Sequence, residues 1–120
     1  MPLDWSSGGL AAGLDCYCNQ EFFEAHEHWE DAWNQLVDPE RLFLQALIQV
    51  TVAMYHYQRG NRAGALSLLW RALRKLEQYP RQFGGIDVDS LREDVRAWLL
   101  ALEHAAPFPP AFPAVHLLDH

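Results

Sequence analysis

The chain has 120 residues, half of them apolar and 12% aromatic, which excludes intrinsic disorder and leaves room for one domain with a real core. A net charge of −7 argues against nucleic acid as the main partner, because phosphate binding needs a concentrated basic surface. The most hydrophobic stretch, Leu42 to Tyr57, carries two glutamines and a histidine, so it reads as a buried helix and no membrane partner is expected.

The first eight residues read as a loose lead-in, broken by Pro2 and the Ser6 to Gly9 run. With no basic segment leading into an apolar core there, the expected compartment is the cytoplasm. Leu10 to Cys18 then forms a short first helix. Cys16 and Cys18, one residue apart, are too close for a structural disulfide and diverge on a helix, so both are expected as free thiols. Asn19 is expected to cap a second helix that runs to about Leu36. Asp38-Pro39 opens a third, with Asp as cap and Pro at the first helical position, persisting to Arg59 and stopped by Gly60. Asn61 caps a fourth helix ending near Gln78. Gly84-Gly85 breaks the chain, and Asp87 caps a fifth helix from Val88 to about His104.

Apolar positions recur at three and four rather than two, so no strand is expected. The fold class is therefore all-α: a single-domain bundle of about five helices over residues 1–106. An extended tail follows over 107–120, where four prolines forbid a helix and the aromatics are expected to pack on the bundle or on a neighbouring subunit. A weak echo relates the second and fourth helices, with Ala25, Trp29 and Ala32 matching Ala65, Leu69 and Ala72 forty residues on.

Seven acids lie between Glu21 and Glu40 with no lysine or arginine among them. They make a solvated acidic face, and contacts with a second copy or another protein are expected through that face or the tail. Within the second helix, His26 set at zero puts Trp33 at about −20°, Phe22 at about −40°, Trp29 at about −60° and Glu30 at about 40°. His26 and Glu30 thus fall in the expected buried stripe. A carboxylate there is costly unless paired or bound to a cation, and His26 is the nearest partner. The third helix carries a polar line, Gln45, Gln49 and His56, which antiparallel packing turns toward the pair.

The candidate site is accordingly His26, Glu30 and His56 as ligands of a divalent metal, zinc first. Glu27 serves as general base or fourth ligand, and Gln49 and Trp33 are supporting contacts. Metal-activated water in hydrolysis is the simplest chemistry such a set would perform. A small polar ligand is the other occupant considered. The competing reading is a non-catalytic interaction module whose His–Glu–Gln network only fixes packing. His26-Glu27-His28 is not a zincin motif, since its histidines are two apart and diverge on a helix. A di-iron bundle lacks its paired Glu-x-x-His signatures.

The run Phe22 to Trp33, with His26, Glu30 and Trp33 at His-x-x-x-Glu-x-x-Trp spacing, resembles the signature of domain-of-unknown-function family 309. Phe43, Gln45, Gln49, Ala53, His56, Gly60, Asn61 and Gly64 resemble its second block, so the likeness spans about residues 14–78. The resemblance implies an all-helical fold in a bacterial or archaeal protein and a metal at the His/Glu motif. It implies no activity.

Overall fold

The structure is a computed structural model that describes residues 3–104 and 107–118. Residues 105–106, where the bundle was expected to give way to the tail, lie outside that range, as do 1–2 and 119–120. Five helices follow in order: α1 (Gly8–Cys18), α2 (Phe22–Trp33), α3 (Glu40–Gln58), α4 (Arg62–Leu76) and α5 (Val88–His104). Each packs on the next in sequence, and the long α3 lies between α2 and α4. No described helix is long and apolar enough to cross a membrane.

The core is built from Phe22, Ala25 and Trp29 of α2, the apolar faces of α3 and α4, and Leu91, Val95 and Trp98 of α5. Ala25 and Ala65, and likewise Trp29 and Leu69, are fully buried, so the echo between α2 and α4 falls on equivalent core positions. Gly13 on α1 lets α2 come close, since a Cβ there would stand only 2.3 Å from the Trp29 indole. That indole donates to the Leu10 carbonyl at 3.1 Å and stacks on Tyr17 at 5.8 Å.

The helix ends follow the capping chemistry of the sequence at two points: Asn61 Oδ1 accepts from Gly64 N at 2.9 Å and Asp87 Oδ1 from Ser90 N at 3.0 Å. At α3 the cap position falls on Pro39 rather than Asp38, whose Oδ1 accepts from Leu42 N at 3.1 Å from one residue further out. Gly60, at φ 77°, closes α3. Asn19 does not cap α2. It ends α1 instead, its N–H bonding back to Asp15 and Cys16, and Gln20 at φ 62° turns the chain into α2. α2 also ends at Trp33, short of Leu36.

Two short strands appear where none was expected: β1 (Gln82–Phe83) and β2 (Ile86–Asp87) pair antiparallel around Gly84 and Gly85. Both glycines have positive φ, 59° and 80°, as a two-residue primed turn requires. Strands of two residues are too short to show alternation. The tail lies on the bundle as an extra edge to this hairpin, with Leu117 bridging Ile86 and Leu118 N donating to Gly85 O at 2.9 Å. Phe112 stacks on Trp98 at 5.4 Å and meets Phe22 edge-on. Trp98 Nε1 donates to Ala111 O at 3.0 Å, and Tyr17 donates its hydroxyl to Pro113 O.

Candidate functional site

The short connection 34–39 reverses the chain, so α2 and α3 lie side by side and running in opposite senses. Between them runs a solvent-open groove of about 280 Å3, lined by His26, Glu30 and Trp33 from α2 and by Gln45, Ile48, Gln49 and Val52 from α3. This brings together four of the residues expected from sequence: His26, Glu30, Trp33 and Gln49.

His26 is held at both nitrogens. The Phe23 carbonyl, 2.8 Å from Nδ1, can only accept, so Nδ1 carries a proton. Nε2 faces Glu30 Oε1 at 2.6 Å, and the two contacts together fix the ring across the groove mouth.

The buried stripe of α2 is not where the helical wheel put it. Phe22, Ala25 and Trp29 occupy it, about 60° around from the expected centre. The cause is α1, which takes Trp29 into the core beside Gly13 and leaves the His26–Glu30 edge at the surface. Glu30 has a side chain 55% exposed and His26 one 22% exposed. The desolvation argument for Glu30 is thus corrected: its carboxylate is solvated, and no buried charge needs compensation.

His56 is one turn too far along α3 to join the pair. Antiparallel packing sets His26 near Val52, while residues 55 and 56 pass the start of α2, where Phe23 meets Tyr55 at 5.5 Å. His56 is occupied elsewhere. Asn61, having given its oxygen to Gly64, donates Nδ2–H to His56 Nδ1 at 3.1 Å, so the neutral ring carries its proton on Nε2. Glu27 is exposed and does not line the groove. Among the described residues no group of three His, Cys, Asp or Glu side chains is placed to hold a metal ion. Cys16 and Cys18 are free thiols, one half-buried and one exposed. Burial pushes the Cys16 thiol up.

Arg41 was overlooked in the sequence. Its guanidinium lies 3.8 Å over the Trp33 ring, and it stands one turn before Gln45 and two before Gln49. Extending that four-residue spacing backwards by one step would have found it. Three buried side-chain polar atoms are without a hydrogen-bond partner among the described residues: Trp33 Nε1, Arg41 Nε and Gln49 Oε1. All three belong to this one contact between α2 and α3.

Both groove helices fall within residues 10–68, which match the model of a family described as a domain of unknown function. That family is DUF309, and residues 10–68 are what this chain shares with it. A relative in Bacillus subtilis (strain 168), "Uncharacterized protein YpuF", is 30% identical over 79 residues, covering 63% of this chain and 44% of its own length. The chain thus spans less than half the length of this relative. The DUF309 segment contains every groove residue, whereas α5, the hairpin and the tail lie beyond it.

Proposed function

We propose that the α2/α3 groove binds a small polar molecule presenting an acceptor and a donor side by side, as the edge of an amide does. The observation that carries this is the gathering of the unpartnered buried atoms. An unmade hydrogen bond on a buried polar atom costs about 1–3 kcal/mol, and such atoms are rare in folded proteins. Here a donor, Trp33 Nε1–H, and an acceptor, Gln49 Oε1, belong to residues lining one open groove. Both atoms are closed to solvent, so a ligand that accepts from the first and donates to the second would satisfy both by parting the Trp33 and Gln49 side chains. The His26–Glu30 pair closes one side of the groove, and the Arg41–Trp33 stack stiffens the other.

The fit for zinc is narrower. Among the described residues, only His26 Nε2 and Glu30 converge, with the Phe23 carbonyl orienting the ring as a supporting contact to a metal ligand would. Two donors fall short of the three that a catalytic zinc takes from protein, so no hydrolytic step is assigned.

The test is an NMR titration of the indole N–H resonances with acetamide, acetate and zinc in turn. Elemental analysis of untagged protein is run alongside. The reading predicts that acetamide shifts the Trp33 resonance, that Gln49→Leu abolishes the shift, and that acetate alone is weaker. Stoichiometric metal that is lost in His26→Ala and Glu30→Ala would replace the amide reading with the metal one. No response to any of the three would overturn both.

A further inference from the structure

On the far side of α3 from the groove helix, α4 exposes Ser67, Trp70, Arg71 and Arg74, spaced to share one face of the helix and lining a shallow concavity of about 340 Å3. Trp70 is 38% exposed, and across the seam with α5 lies Leu100, 56% exposed, so an apolar strip runs beside the arginines. Neither Arg71 nor Arg74 makes an ion pair among the described residues, in a chain that carries seven more acids than bases. Trp70 gives its N–H to Glu103 at 3.4 Å on the α5 side, and on the other side its half-exposed ring stands next to two unpaired cations, an edge shaped for an acidic partner.

The matching surface lies on the chain itself. α2 exposes Phe23, 45% in water, followed at successive turns by Glu27 and Asp31, both exposed. The two strips have the same spacing and opposite sign. Phe23 precedes Glu27 by four residues, and Trp70 precedes Arg74 by four. We propose that the acidic strip of α2 on one copy docks on the Trp70–Arg71–Arg74 face of α4 on a second copy. Laid parallel, Phe23 packs against Trp70 while Glu27 and Asp31 run along the Arg71–Arg74 edge. The two patches differ, so the contact is heterologous and copies add head to tail. This inference is independent of what the groove binds.

Sedimentation velocity on the full chain, from micromolar to about 1 mM and at low and high salt, tests it. The expected result is a mass above one chain at low salt, falling as salt screens the charges. Arg71→Glu/Arg74→Glu and Glu27→Arg/Asp31→Arg should each sediment as single chains while keeping the wild-type circular dichroism. Mixed in equal amounts, they should assemble again, because each supplies the charge the other lacks. Single-chain mass for the wild type throughout would overturn the proposal. So would a larger mass that survives both charge reversals, or one that mixing fails to restore.

Discussion

Replacing Gly13 by alanine sets two effects against each other, and the structure decides between them. Alanine is the better helix former by about 1 kcal/mol, which favours the variant in the middle of α1. Its Cβ, however, would stand 2.3 Å from both Cδ1 and Nε1 of Trp29. Carbon atoms in contact sit about 3.5–4.0 Å apart, so the indole must retreat by more than about 1 Å. It has nowhere to go. Trp29 is fully buried, stacked on Tyr17, edged by Trp5 at 6.1 Å and bonded to Leu10 O. Overpacking of this kind costs about 1–3 kcal/mol, and a buried indole N–H pulled from its carbonyl adds about 1–3 kcal/mol. The balance is a loss of about 3 kcal/mol, or a fall in Tm of about 12 °C for a chain of this size. Urea and thermal unfolding by circular dichroism measure it, and the deficit should shrink when Trp29 is first shortened to leucine. A Gly13→Ala protein as stable as the wild type, or more so, would refute the claim that this glycine sets the α1–α2 distance.

Glu30→Gln should change stability by less than about 1 kcal/mol, since the pair it breaks is largely in water; a loss above about 2 kcal/mol in urea unfolding would show that the pair holds the fold together. Asn61→Ala removes the α4 cap and should cost about 1 kcal/mol, with NMR showing the His56 ring nitrogens released from their fixed tautomer. Burial, reinforced by the negative charge of Asp94, holds the Tyr17 phenol well above the usual tyrosine range. The native state keeps that proton while the unfolded chain loses it near the ordinary value of about 10, so stability should be level below pH 10 and decline above it. Tyr17→Phe should flatten that alkaline decline in denaturant midpoints measured from pH 7 to 11, and an unchanged slope would contradict the assignment.

Helix number, order and most of the ends were legible because each rests on local chemistry: Gly60 after α3, Asn61 and Asp87 before α4 and α5. The facing of Gln45 and Gln49 toward His26 was legible as well, since a short connection between helices leaves little choice of direction. What failed was the depth of the α2 stripe. A wheel treats one helix alone, and its centre was drawn from the histidine rather than from Trp29, which lies against Gly13 of α1. Without knowing how far α2 is rotated, the sequence could not separate a carboxylate in the core from one at the rim. A different blindness, to height along the axis, brought His56 into the site, although its place on the α3 wheel was read correctly. Angular position says nothing about height along the axis, and one turn, about 5.4 Å, removes a ligand.

The hairpin around Gly84 has a wider consequence for how the molecule comes apart. Trp5 Nε1 donates to Gly84 O at 2.7 Å, a Cβ on that glycine would touch Leu3, and Leu118 donates to its neighbour Gly85. Segments more than a hundred residues apart in sequence are thus fastened to the same two-residue turn, in a bundle whose most extensive helix contacts are between sequence neighbours. Loss of that knot frees α1 and α5 together. In native-state hydrogen exchange, the amides of β2 and of the tail edge should therefore open with α1 as one cooperative unit, below the free energy at which α3 opens. The groove, built on α2 and α3, would then lose one wall before the other, giving its binding capacity a melting curve of its own.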